Sequence, residues 1–215
     1  MRTFTSIAIL GSALLAGTAF AQERAVPTPA TGIDETPRRG VYVETTLGFF
    51  TAMGGSQPFS NGQPYLGLTF GREIGVRAAV FGSLGIGAAS ATCYQLTARG
   101  DCAAADSFGV TFFEGGGAYG MPVADRLLFS ARLLAGLTDL SPGPVKSGDS
   151  VPDHILGFHL GSGLSLDYDT HLDHFGVGID ALVRYTFARY SPAGQGPQTL
   201  GLPTLAIMPR LRYVF

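Results

Sequence analysis

From Phe175 to Phe187 every second residue is apolar: Phe175, Val177, Ile179, Ala181, Val183, Tyr185 and Phe187 share one parity. Gly176, Gly178, Asp180, Leu182, Arg184 and Thr186 take the other. Side chains alternate between the two faces of a strand, so this stretch makes a strand with one unbroken apolar face. The pattern recurs and predicts strands over about 41–52, 65–72, 76–88, 108–121, 126–138, 156–166, 175–187 and 202–215. No run of 18 uncharged apolar residues follows residue 21, too little for a membrane helix. Yet charged residues make up only 14% of the chain, against about 25% in soluble domains. In lipid every backbone group must be paired within the protein, which leaves a closed barrel as the structure that fits.

The connections agree. Polar or turn-forming segments from Gly54 to Pro64, 90–107, 139–153 and 191–201 are long. Arg72-Glu73-Ile74-Gly75, Pro122-Val123-Ala124-Asp125 and 167–174 are short. Long and short alternate, as in barrels with short periplasmic turns and longer extracellular loops. The expected fold is all-β, an eight-stranded antiparallel transmembrane β-barrel in the bacterial outer membrane. A soluble lipocalin-like barrel would turn its apolar face inward; here the polar parity is full of Gly and Ser, suited to a narrow lumen. Two stretches are ambiguous. RLLFSARLLAGL (126–137) reads equally as a helix, and Phe108, Val110 and Phe112 disagree in parity with Phe113, Tyr119 and Met121. A bulge within Glu114-Gly115-Gly116-Gly117 would reconcile the second.

Residues 1–21 carry Arg2, an apolar stretch and Ala19-Phe20-Ala21, and read as a signal peptide. No Cys follows the cleavage site, so a lipoprotein is not expected. Residues 22–39 are rich in Pro, Thr and charge and read as a disordered periplasmic lead; 40–215 form the barrel. Without Arg2 the 14 basic residues become 13 against 16 acidic ones, a net charge near −3. No basic stripe points to nucleic acid.

An Arg or Lys on the lipid face at mid-membrane costs about 2–4 kcal/mol. Arg132, Arg184, Arg210 and Arg212 all share the polar parity. Matching depths predicts pairs of Glu44 with Arg212, Asp180 with Arg210 and Glu114 with Arg132, in one lumenal network that includes Arg184 and His159. Eight strands leave an interior just wide enough for side chains, so this network should plug it. A proton or ion pathway through the same residues stays open as the alternative.

Little points to catalysis, a cofactor or a metal. His159 is followed by Leu160 and Gly161, so the lipid-facing His-x-Ser pair of lipid A deacylases is absent. His171, Asp173 and His174 fall in a predicted turn, where solvation explains them better than a metal. Gly115-Gly116-Gly117 lacks the Lys and helix of a phosphate loop. Cys93 and Cys102 lie in one exported loop and suit an intraloop disulfide, worth on the order of 2–3 kcal/mol by loop closure.

The last stretch, LPTLAIMPRLRYVF, resembles the closing strand of bacterial outer-membrane barrels. The resemblance implies that Tyr213 and Phe215 are read by the barrel assembly machinery. Residues 40–215 as a whole resemble small eight-stranded outer-membrane proteins. Three segments, GGSQPFSNGQPYLGLTFGREIG (54–75), FGSLGIGAASATC (81–93) and ADRLLFSARLLAGL (124–137), look like the barrel proteins of the myxobacterial adventurous gliding motility machinery. That family implies a non-enzymatic barrel, bathed in outer-membrane lipid, that anchors an assembly of other envelope proteins. A narrow pore and a lipid-modifying enzyme are the competing readings.

Overall fold

The computed structural model describes residues 40–54, 57–59, 63–74, 77–90, 107–141, 153–172, 174–191 and 196–215. The segments expected as signal peptide and lead, and both cysteines, lie outside the described residues. Eight long strands run in chain order: β1 Val41–Gly54, β2 Gln63–Ile74, β3 Ala78–Ser90, β4 Ser107–Ala124, β5 Leu127–Ser141, β6 Ile155–Asp169, β7 Phe175–Tyr190 and β8 Gln198–Val214. Each pairs antiparallel with the next, and β8 pairs with β1. The ring is therefore closed, and no strand edge is left to lipid. A further short strand, Gln57–Phe59, pairs with the end of β1; this stretch falls within the expected polar loop. The 126–137 stretch is strand, because its alternate residues Ser130, Arg132 and Leu134 are buried while Ala131 and Leu133 are exposed.

Closure is staggered. Stepping from strand to strand, Tyr42 leads through Gly71, Phe81, Gly116, Leu134, Gly161, Arg184 and Thr204 back to β1 at Ala52, ten residues from the start. A stagger of this size over eight strands tilts them by roughly 40° and leaves a lumen that side chains can fill. Gly40, Phe215 and the short turns share one end, called the terminus end below; the longer connections leave from the other, the loop end.

The outward face is apolar on every strand: Leu47, Leu66, Ile86, Phe113, Leu133, Leu160, Val183 and Ile207 are all exposed. Aromatics gather toward both ends of this band. Phe175, Tyr213 and Phe215 stack at the terminus end, with ring centroids 5.0 and 4.9 Å apart. Tyr185 and Phe187 do so nearer the loop end at 4.7 Å. An apolar belt between aromatic girdles is the outer surface a lipid bilayer demands.

No bulge is needed in β4. Its register is continuous with β3 from Ser107 to Tyr119 and with β5 from Gly109 to Pro122, and the one shift falls between Pro122 and Ala124. Phe108, Val110 and Phe112 are buried in the lumen, whereas Phe113, Tyr119 and Met121 face outward. The two parities conflicted only because apolar residues were assumed to face lipid throughout.

The seam between β8 and β1 has one gap. Register holds at Thr46↔Arg210 and resumes at Phe49↔Ile207, with no pairing opposite Pro209, which has no N–H to give. Here Gly48 presses against β8. A Cβ at Gly48 would run into the Ile207 carbonyl oxygen and lie 2.6 Å from Met208 Cα. Backbone atoms cannot step aside, so Gly48→Ala should cost about 1–3 kcal/mol or more. Gly82 faces outward, with its nearest neighbour for a Cβ at 3.9 Å. Gly82→Ala should then stay within about 0.5 kcal/mol of the parent. Urea midpoints in detergent, with the heat-modifiable gel shift of folded barrels, measure both.

Candidate functional site

The buried charged residues of the described chain converge inside the ring, in layers that the inward parity of each strand dictates. Nearest the terminus end, Glu44 is fully buried and gathers three arginines. Arg212 Nε donates to it at 2.7 Å, Arg132 Nη2 to both its oxygens at 3.1 and 3.3 Å, and Arg210 Nη1 at 3.4 Å. Asp180 lies 3.2 Å from Arg210 and 3.7 Å from Arg132. Asp167 accepts from Arg210 Nη2, and Glu73 from Arg212 Nη1 at 3.3 Å. Arg212 also covers the Tyr42 ring at 4.3 Å. Three guanidiniums thus face Glu44, Asp167 and Asp180, with Glu73 a fourth carboxylate at the edge, so no guanidinium is left unpaired in a place where that would be costly.

Farther up the lumen a second carboxylate is saturated. Arg184 clasps Glu114 with two parallel bonds, Nε at 2.8 Å and Nη2 at 2.7 Å. Ser83 Oγ donates at 2.9 Å, and His159 Nε2 lies 3.1 Å away. A carboxylate offers about four acceptor sites, and all four are used. Since Glu114 only accepts, Nε2 donates to it, and Nδ1 shares a hydrogen bond of 2.8 Å with Thr138 Oγ1. The Arg184 guanidinium also lies 4.6 Å from the Phe112 ring centroid and donates to Tyr65 at 3.2 Å.

Thr138, His159 and Glu114 have the connectivity of an acyl-transfer triad. The Thr138 oxygen has no room for a substrate, because Thr138, His159 and Thr186 are all fully buried. Above them Phe50, Phe108, Val110, Leu140, Leu200 and Leu202 close the loop end. Packed aromatics, with Phe50 and Tyr65 stacked at 5.9 Å, exclude water from this end.

The sequence-derived residues therefore fall into two clusters. Glu44, Arg132, Asp180, Arg210 and Arg212 form the first; Glu114, His159 and Arg184 form the second. Leu134, Leu182 and Met208 lie between, around a void of about 20 Å³. Glu114 does not pair with Arg132, contrary to expectation. Glu114 is opposite Gly136 and Arg132 opposite Ala118, so adjacency in the ring does not put them at one level. The expectation of a polar lumen also fails for the loop end, which is apolar. Sequence reasoning missed Tyr42, Tyr65, Ser83, Phe112 and Asp167. The signal was available for Tyr65, which stands on the parity opposite Leu66, Leu68 and Phe70.

At the terminus end, Phe215 N donates to Val41 O at 2.9 Å. This fastens the last residue to β1 and leaves its ring 69% exposed to lipid. Tyr213 packs edge-on against it. His174 adopts φ 109°, and its Nδ1 donates to Val214 O at 2.8 Å; it is a strap for β8. Among the described residues no group of three His, Cys, Asp or Glu could hold a metal; Asp173 lies outside them.

No protein-family model matches the chain, and no curated protein does. Solved structures do. Neisserial surface protein A is similar at a TM-score of 0.55 and 12% identity, over 82% of this chain and 97% of that one. The outer-membrane protein AlkL, solved in lipid bilayers, gives 0.47 and 12% over 90% and 97%. The attachment invasion locus protein Ail of Yersinia pestis gives 0.43 and 14% over 81% and 99%. The first of these likenesses bears on the fold, and with the closed ring and the exposed apolar band it makes this chain an eight-stranded barrel of the bacterial outer membrane.

Proposed function

We propose that this outer-membrane barrel works by holding other envelope proteins, as a closed and non-enzymatic anchoring component. The observation that carries the reading is the filled lumen: a neutralised ion layer, a second saturated one, and an apolar block above both. A barrel so filled offers neither a passage nor a reaction chamber. Its loops and its periplasmic mouth are left to meet partners, the terminus end facing the periplasm. Absence of a lipid-facing His-x-Ser pair supports the non-enzymatic reading, since His159 points into the lumen. Tyr213 and Phe215 stand outward at the closing strand, where an assembly machinery would reach them.

A place in a gliding-motility complex is the finer reading, and it rests on the segments 54–75, 81–93 and 124–137. Much of their glycine pattern is required by packing: a Cβ at Gly71 would meet Tyr42, and one at Gly85 would meet Tyr65. These glycines therefore speak for the barrel more than for any machine it joins. The anchoring role does not depend on the finer one.

Crosslinking intact envelopes and purifying the barrel should enrich a small, reproducible set of envelope proteins; no enriched partner would sink the anchoring role. In planar bilayers the purified protein should give no stable channels. Large, persistent conductance steps would show that the lumen opens and would favour the pore.

A further inference from the structure

We infer that the Glu44–Arg212 pair is the register key of ring closure: it selects the ten-residue stagger of the barrel over staggers of eight or twelve. In a hairpin, turn type and loop length fix how two strands align. The seam between β1 and β8 has no such connection, because it joins the first strand to the last. Alternation does not fix it either. Side chains repeat with period two, so a slip by two residues leaves every side chain on its own face. Slid one way, Val43 meets Leu211 instead of Tyr213, and Phe49 meets Leu205 instead of Ile207. Apolar still faces apolar. The gap opposite Pro209 travels with β8 and favours no register.

Charge does discriminate. Glu44 stands directly opposite Arg212 and accepts from its Nε at 2.7 Å. A slip that shortens the stagger to eight sets Glu44 opposite Arg210 and Arg212 opposite Tyr42. Glu44 then crowds onto a guanidinium that Asp167 and Asp180 already hold, and Arg212 loses the carboxylate opposite it. The slip to twelve sets Glu44 opposite Val214 and Arg212 opposite Thr46. Two residues of strand span about 7 Å, more than twice a hydrogen bond, so either slip parts the pair. Glu44 is fully buried, and water does not take the place of the lost donor. Sterics act in the same direction. A Cβ at Gly48 would run into the Ile207 carbonyl oxygen and Met208. A slip brings Thr46 or Phe50 to that point of β8, each with the Cβ that Gly48 lacks.

Disulfide trapping across the seam of the full chain reads the register. With Cys93→Ser and Cys102→Ser as background, Leu211→Cys is combined in turn with Val43→Cys, Thr45→Cys or Leu47→Cys. These pairs report staggers of eight, ten and twelve. Only a residue directly opposite brings its Cα within the roughly 7 Å that a disulfide spans. Each protein is refolded in detergent and oxidised, and the folded species is scored for crosslinks. The parent should link at Thr45 alone. Glu44→Gln should raise the share linked at Val43 or Leu47 by about tenfold or more, the weight of one hydrogen bond to a charged group. Arg212→Gln should do the same while leaving Glu44 to Arg132 and Arg210, and it decides the matter if Glu44→Gln does not fold. Glu114→Leu weakens the other layer and should keep every link at Thr45, which separates register from general loss of stability. Glu44–Arg212 is not the key if the parent fails to single out Thr45, or if either seam variant, once folded, links there alone. Nor is it the key if Glu114→Leu spreads the links as widely as the seam variants do.

Discussion

Glu44→Ala is expected to destabilise the barrel by about 3–5 kcal/mol, the range for removing one partner of a buried ion pair. Glu44 is fully buried and receives Arg132, Arg210 and Arg212. Without it Arg132 and Arg210 are left to Asp167 and Asp180, and Arg212 to Glu73 at the edge of the layer, so all three guanidiniums lose the acceptor they share. Three cations drawn from β5 and β8 would then repel across the place that Glu44 occupied. Glu44→Gln keeps the volume and one acceptor but turns an NH2 toward guanidiniums, so it should fall between alanine and the parent. Salt should not rescue either variant, because screening acts weakly on charges shut away from solvent. Equilibrium unfolding in detergent measures the loss. If Glu44→Ala unfolded within about 0.5 kcal/mol of the parent, the size of an ordinary surface change, the layer would have no structural weight.

How much of this was readable beforehand depends on what each inference needed. Strand parity is local. Eight alternating stretches, with every mid-strand arginine on the non-lipid side, suffice for the ring and for which face is lumenal. Pairing across the lumen is not local. Glu44 on β1 bonds Arg132 on β5, far round the ring, and only the ten-residue stagger sets them at one level. Strand-to-neighbour depth captures Glu44 with Arg212, opposite each other in register and 2.7 Å apart. It fails for Glu114 and Arg132. Phe108 and Phe112 misled for a different reason. An apolar side chain can bury itself in lipid or in a dry lumen, and hydrophobicity alone does not say which. Asp167 looked like a turn residue because strand β6 runs on to Asp169, further than its apolar alternation does.

Arg184 and Glu114 provide the converse experiment, in which charge is removed in pairs. Each alone should be costly. Glu114→Leu leaves Arg184 fully buried beside Phe112 and Tyr65 with no carboxylate, and Arg184→Met leaves Glu114 with only Ser83 and His159. About 3–5 kcal/mol is expected for either. The double variant instead places two apolar side chains in a layer already bordered by Leu134, Leu182 and Met208. Replacing a whole buried ion pair by packed apolar groups is often neutral, or stabilising by about 1–4 kcal/mol. One residual cost is foreseeable, since His159 loses the acceptor of its Nε2 proton, worth about 1–3 kcal/mol. Adding His159→Leu should recover it. The coupling energy from the cycle should therefore be large, at or above the upper part of the roughly 0.5–3 kcal/mol range for residues in contact. A double variant as unstable as the two singles combined would mean that an apolar layer cannot replace this one. Arg184 and Glu114 would then hold something that packing alone does not.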